Sequence, residues 1–362
     1  MFSLEETSLY QSLLFLVLVL FALVKALNLF FKKRDGPLLY DIVLFVYVLC
    51  YSLLISYKEI AIGSDFSQYE YEYYTLSSFK QIFNLKGDYL FYLIAYFCNL
   101  LGFTFGQYIF ALLTTINFLI LKALKTFSEK NIFLIFFILC SCFFYYSMTQ
   151  NIIRQGLGFA FFLCGLAGLY ERDKKKFIIY FSVAFLMHLV YIVPLTLLYV
   201  FTRIKKTMWI YLLLLICSLI SALNYNIFTN AFFTSVLNVE RLRSYGSAGS
   251  DEIVNYKLGF RIDFFLFNLF FIFISYKILQ LLKKNKYKVD FYNLLHKLFV
   301  VMSSLFFLMF HIPFSDRFGL LSWMLIPLLF IPVFTHRLPG NIFINPLTIV
   351  IFFTIIYFVF NI

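Results

Sequence analysis

SLYQSLLFLVLVLFALVKALNLFFKKR, residues 8–34, decides the class of this chain. From 8 to 31 it is apolar without alternation, broken by one lysine, and it closes on three consecutive cations. About 20 such residues let a helix cross the roughly 30 Å hydrocarbon layer, and a helix satisfies its own backbone there. A barrel strand would alternate apolar and polar residues instead. Eleven further runs follow, at about 38–57, 89–102, 106–121, 131–148, 156–170, 177–201, 208–223, 260–282, 291–310, 318–334 and 345–361. With 62% apolar and 13% charged residues over 362 positions, the chain has too little polar surface to wet a soluble core. The expected fold is an all-α polytopic membrane protein of about 10–12 transmembrane or re-entrant helices, one integral domain spanning 1–362.

The net charge of +12 would point to nucleic acid in a soluble protein. Here the lysines adjoin apolar spans, as KKR at 32–34, KKK at 174–176, RIKK at 203–206 and KKNKYK at 283–288, where they set orientation and meet anionic headgroups. The expected partner surface is a lipid bilayer, not nucleic acid. All six cysteines, Cys50, Cys98, Cys140, Cys142, Cys164 and Cys217, sit in apolar runs without a CxxC pair, so they read as small hydrophobes. The acidic start MFSLEETSLY lacks the basic opening of a cleavable signal, and the first span is expected to stay.

One crossing per run would scatter the lysine clusters over both faces, against the positive-inside bias. Two adjustments restore it. The short run 89–102 becomes an interfacial or re-entrant helix, and 177–201, with His188 and Pro194 inside it, becomes a broken hairpin with His188 near its tip. Twenty-one of the 30 basic residues then lie inside. Lys58, Lys80, Lys86, Arg154, Arg241, Arg243, Lys257, Arg261 and Arg317 lie outside, with Asp65, Glu70, Glu72, His188, His311 and Asp316. The two sizeable external loops are 58–88 and 224–259, the second with the Gly and Ser content of a lid. No internal repeat stands out, which counts against transporters built from duplicated halves.

Five groups on that outer side carry chemical potential. GSDFSQYEYEYY at 63–74 combines Asp65 with Tyr69, Tyr71 and Tyr73, faces that stack on sugar rings beside carboxylates that take hydroxyl protons. An interfacial aromatic belt is the plainer account. Arg154 and Gln155, in MTQNIIRQGLGFAFF, head a helix at membrane depth, where an arginine is costly and its planar fork fits phosphate oxygens. A snorkelling arginine is the alternative. His188 is the one titratable group of its run, a base for an attacking hydroxyl or a buried structural histidine. Arg241 and Arg243, and the adjacent Asp316 and Arg317 in HIPFSDRFGLL, complete a cationic set suited to a diphosphate, although exposed ion pairs contribute little. No phosphate loop, HExxH, GxSxG elbow or voltage-sensor helix is present, and Asp41 and Asp263 sit only near span ends. The energy for any reaction is therefore expected from the substrate.

The pattern resembles the EpsG family of bacterial exopolysaccharide polymerases, within the wider Wzy-type group of O-antigen and capsule polymerases. GSDFSQYEYEYY, the block IIRQGLGFAFFLCGLAGLYERDKKKFIIYFSVAFLMHLVYIVPL at 152–195 and DRFGLLSWMLIPLLF carry the likeness. The middle block is the most specific: arginine heading a small-residue helix, a lysine-rich turn, then histidine late in the next run. The resemblance implies a metal-independent glycosyltransferase of C-type membrane architecture, needing no cofactor. It would join polyprenyl-diphosphate-linked oligosaccharide units on the external face of the cytoplasmic membrane, with a flippase and a chain-length regulator as further partners. It further implies His188 and Asp65 as catalytic groups, and Arg154, Gln155, Arg317, Asp316, Arg241, Arg243, Tyr69, Tyr71 and Tyr73 as substrate-binding. A lipid-linked oligosaccharide flippase would instead spread polar residues through the membrane depth, and an O-antigen ligase would carry a larger external domain.

Overall fold

The computed structural model describes residues 2–31, 36–60, 65–84, 87–201, 207–223, 225, 258–336 and 344–360. Among them the chain is helical, and its one bridge between extended segments pairs Phe2 with Lys58. Among the described residues seven helices are long and apolar enough to cross a membrane, eight if one bent pair counts as a single span, and four shorter apolar helices accompany them. The all-α polytopic expectation holds, and the twelve apolar runs correspond to these elements. The chain divides into two compact units, Met1–Leu195 with Phe330–Ile362, and Thr196–Leu329.

In the first unit, α1 (Leu4–Phe30) opens on a capping box, with Ser3 and Glu6 each accepting the other's backbone N–H. It runs antiparallel to α2 (Pro37–Ser56). Phe2 N–H donates to Tyr57 O at 2.8 Å at one end, and Lys25 lies over the Tyr40 ring at the other. Beyond α2 come α3 (Asp65–Thr75), α4 (Phe79–Asn84) and α5 (Tyr89–Leu100). Twelve residues give α5 a length of about 18 Å, short of the hydrocarbon thickness, in keeping with a run that does not cross.

α6 (Phe105–Phe127), capped by Thr104 and Gln107, is followed by α7 (Ile132–Cys140) and α8 (Phe143–Gln150). The apolar run 131–148 is bent in the structure. The segment Glu129–Cys140 meets Phe143–Gln150 at 80°. Ser141 Oγ donates to Phe137 O at 2.7 Å, a back-bond that bends helices, and the second limb carries hydroxyls that must be satisfied. Tyr145 donates to Asn117 Oδ1, Tyr146 to Cys140 O, and Thr149 is paired with Tyr51.

The centre of the unit is α9 (Ile153–Glu171), whose most apolar window is 78% buried against 33% for α1. Small residues let its neighbours approach: a Cβ at Gly156 would meet Met148 O at 2.7 Å, and one at Gly168 would meet Phe177 N at 2.8 Å. α10 (Lys174–Met187) returns along it after the turn at Arg172 and Asp173. At His188 the helix stops, the backbone extends (φ −157°, ψ 117°), and a 3₁₀ turn, Leu189–Tyr191, leads into α11 (Ile192–Phe201). Pro194 thus occupies the first turn of a new helix, where its missing N–H costs nothing. The break in 177–201 falls at the histidine the sequence singled out.

These directions separate the polar groups. α6, about 34 Å long, starts where Tyr108 stacks on Tyr73 and ends at Lys122 and Lys125. α9 runs parallel to it, Phe127 meeting Tyr170 at the far end. Lys58, Asp65, Asp88, Arg154 and His188 therefore share one end of the unit, and Lys25, Lys122, Lys125, Lys130 and Lys174–Lys176 the other.

The second unit holds α12 (Met208–Ala222), α13 (Ile262–Lys284), α14 (Asp290–Leu308) and α15 (Asp316–Trp323). Trp323, Phe264 and Phe306 pack at 5.0–5.2 Å in its core. A buried polar line runs from the Tyr211 hydroxyl to His296 Nε2 (2.6 Å), and from His296 Nδ1 to the Ser275 hydroxyl (2.8 Å).

Candidate active site

Position 88, which the sequence reading passed over, organises the polar end of the first unit. Asp88 is fully buried, with its backbone in the left-handed region (φ 56°) directly after Gly87 (φ 120°). The carboxylate makes no capping bond to α5 and turns instead to partners on other helices. The φ of 120° is what requires glycine here, since side-chain-bearing residues rarely adopt it, and a Cβ would also press on Leu189 Cδ1 at 2.6 Å.

Two cationic or titratable groups converge on Asp88. Arg154 Nη1, at the start of α9, lies 3.3 Å from Oδ2. His188 Nδ1, at the break after α10, lies 3.0 Å from Oδ1, and the Leu189 N–H donates to the same oxygen at 3.3 Å. A buried carboxylate persists only where it is paired and hydrogen-bonded, and Asp88 is both. The pairing carries a tautomer: with Nδ1–H donating to the carboxylate, Nε2 is the acceptor nitrogen. The side chains of Arg154 and His188 keep 19% and 22% exposure, so both reach the surface while Asp88 does not.

The guanidinium is held from a second direction. Arg154 Nη1 donates to the Tyr92 hydroxyl at 2.6 Å and Nε to the Tyr69 hydroxyl at 3.4 Å, with both rings within 6 Å of its centre. Tyr92 in turn faces the carboxylate of Glu72. Beside α9, the Asp65 N–H donates to Asn151 Oδ1 at 3.2 Å, and Lys58 Nζ donates to Gln150 O at 3.2 Å. Burial over the Phe66 ring pushes the Lys58 ammonium down to about 8, because the charged form loses its water. A carboxylate, an imidazole, a guanidinium and a lysine of lowered basicity thus meet at one end of the bundle. Together they can bind an anion and move a proton.

A family model described as the EpsG family matches residues 41–362, nearly the whole chain. The chain belongs to the EpsG family. That family is associated with polysaccharide polymerases, which places this member in polysaccharide biosynthesis. No curated protein and no solved structure gives a significant match.

Of the residues expected in the site, the structure of this EpsG family member joins Arg154, His188 and Tyr69 directly. Asp65 stands nearby, held by its backbone to Asn151, and the described contact to the imidazole comes from Asp88 instead. Gln155 is buried, and its backbone carbonyl accepts from the Tyr191 hydroxyl at 2.8 Å, which ties the start of α9 to the 3₁₀ turn after α10. The three tyrosines correct the expectation that all face sugar. Residues 65–75 are helical, so positions 69 and 73 share one face and 71 points away. Tyr73 is 1% exposed, donates to Phe103 O at 2.7 Å and stacks on Tyr108, while Tyr71 is 66% exposed and open to a ligand. Asp316 and Arg317 belong to the second unit, where they begin α15 with the guanidinium over the Phe314 ring. Arg241 and Arg243 lie outside the described residues, as do Lys86 and Lys257 and the lysine clusters at 32–34 and 203–206. The local signal at Asp88 is weak, a Gly-Asp pair set immediately before an apolar run, and its partner His188 lies 100 positions away.

Proposed function

We propose that this EpsG family member is a polysaccharide polymerase, a membrane glycosyltransferase of C-type architecture. It joins polyprenyl-diphosphate-linked oligosaccharide repeat units at the external face of the bacterial cytoplasmic membrane. One observation carries the reading: Arg154, Asp88 and His188, from three separate helices, form a single partly exposed cluster. The positive-inside bias puts the lysine end of the first unit in the cytosol, which turns the cluster outward.

In this reaction the acceptor hydroxyl oxygen attacks the anomeric carbon of the donor sugar. The bond to the lipid diphosphate breaks, and its electron pair leaves with the diphosphate. Arg154 neutralises that developing charge, its fork matching two phosphate oxygens where a lysine would offer one point charge. His188 takes the hydroxyl proton on Nε2, the nitrogen left as acceptor by the Nδ1–Asp88 contact. Asp88 touches neither sugar nor phosphate; it fixes the imidazole tautomer and compensates the guanidinium. Asp65 orients the acceptor, Tyr71 offers it a ring face, and Lys58 adds a second cation beside the diphosphate. Gln155 supports the start of the Arg154 helix through its backbone carbonyl.

Arg154→Lys tests this assignment. Polymer is expected to vanish while single lipid-linked repeats accumulate and the protein stays at wild-type level. Removal of one such donor typically lowers turnover by about 10²–10³. Long polymer in wild-type amount would reject Arg154 as the phosphate clamp.

A further inference from the structure

The lysine end of the first unit contains a cavity of about 590 Å³ that plays no part in glycosyl transfer. It lies where the end of α1, the start of α2, the end of α6 and the turn into α7 come together, about the length of α6 from Arg154. Its cations are Lys25, Lys122, Lys125 and Lys130. Lys25 is 5% exposed, its ammonium 3.9 Å from the centroid of Tyr40, so one positive group is set into the wall. Lys122 is steadied by the Tyr180 hydroxyl at 2.9 Å. Two exposed carboxylates also face the space, Glu129, 3.6 Å from the Lys125 ammonium, and Asp41. Four ammonium groups against two carboxylates leave it net positive.

The rest of the wall is apolar and continues toward the bilayer. Phe118 stands one helical turn from Lys122 on α6, and Phe45 one turn beyond Asp41 on α2, so both lie about 5 Å deeper along the membrane normal. Their rings pack at 5.9 Å and remain 37% and 51% exposed, forming an aromatic edge where lipid reaches the protein. A space cationic at the headgroup level and aromatic below it matches one kind of ligand. We propose that this cavity binds an anionic phospholipid, its phosphate on Lys122, Lys125 and Lys130 and one acyl chain along Phe45 and Phe118. Basic pockets between helices at the cytoplasmic boundary suit such headgroups, and lysines tolerate a phosphate that swivels. A free phosphate would fill a small part of the volume and leave the aromatic edge unused.

The test is native mass spectrometry of the purified full-length protein titrated with phosphatidylglycerol or phosphatidylcholine of equal chain length. The wild type is expected to retain phosphatidylglycerol at least tenfold more strongly. K122Q and K125Q, both at exposed positions and so expected to fold, should each reduce that preference about fivefold, the equivalent of about 1 kcal/mol per lysine. Equal retention of the two lipids, or a preference unchanged in both variants, overturns the proposal. Displacement of phosphatidylglycerol by an equal concentration of glycerol phosphate would do so as well, because it would assign the site to a soluble phosphate. None of these readouts depends on polymer synthesis.

Discussion

Asparagine at position 88 keeps the shape of the side chain and removes its charge, and each of the two ways it can sit damages a different partner. Oδ1 of Asp88 meets two groups, Leu189 N–H at 3.3 Å and His188 Nδ1 at 3.0 Å, so an asparagine carbonyl placed there turns its NH₂ toward Arg154. That sets a donor against Nη1 at a position where the carboxylate oxygen stood 3.3 Å away. The reverse placement points NH₂ at Nδ1, forces the proton onto Nε2, and removes the base. A positioned general base contributes about 10²–10⁴ in rate, so Asp88→Asn should lower polymerisation by that factor, about 3–5 kcal/mol of transition-state stabilisation. Stability should suffer less than the 3–5 kcal/mol typical of a broken buried pair, because Arg154 keeps Tyr69, Tyr92 and partial access to water. The assay is polymer length on a gel together with lipid-linked single repeats, with thermal unfolding in detergent as the control for folding. Long polymer at the wild-type rate from a stably folded Asp88→Asn protein would refute the role given to the carboxylate.

Three further outcomes are measurable. With Lys58 down at about 8, its charge falls from about nine-tenths at pH 7 to about one-tenth at pH 9, so polymerisation should decline through that window, and Lys58→Arg should abolish the decline. The linked stability runs the other way: the unfolded chain binds the extra proton between about pH 8 and 10.5, so the wild type should gain stability there as pH rises, measurable by denaturation against pH. In a chain whose six native cysteines are replaced, single cysteines at 65 and 175 should differ toward an impermeant maleimide, the first reacting from outside the cell and the second not. Equal labelling would undo the orientation.

Hydrophobic runs made the helices readable, because the bilayer admits no other use for twenty apolar residues in a row. The helix break at His188 was readable too, since the run 177–201 carries a histidine and a proline in its interior. The 80° bend after Cys140 was not, because its cause is a serine back-bond and a set of tertiary hydroxyl partners that no window of local hydropathy contains. Arg154 announced itself through the cost of its depth. Asp88 did not, for it contacts His188 across 100 positions, and a Gly-Asp before an apolar run reads as an ordinary loop until the partner is placed. The tyrosines at 69, 71 and 73 read as one group by composition, and the helix over 65–75 divides them, placing 69 and 73 on a face that 71 does not share.

The burial of Asp88 has a consequence for biogenesis. Arg154 and His188 leave the ribosome 66 and 100 residues after it, an interval of several seconds to about twenty at about 5–20 residues per second. Throughout that interval the nascent chain carries an acid bound for a dry pocket whose two counterparts have yet to be made. The carboxylate must wait among the headgroups, and the polar end of the first unit closes only when α9 and α10 arrive to receive it.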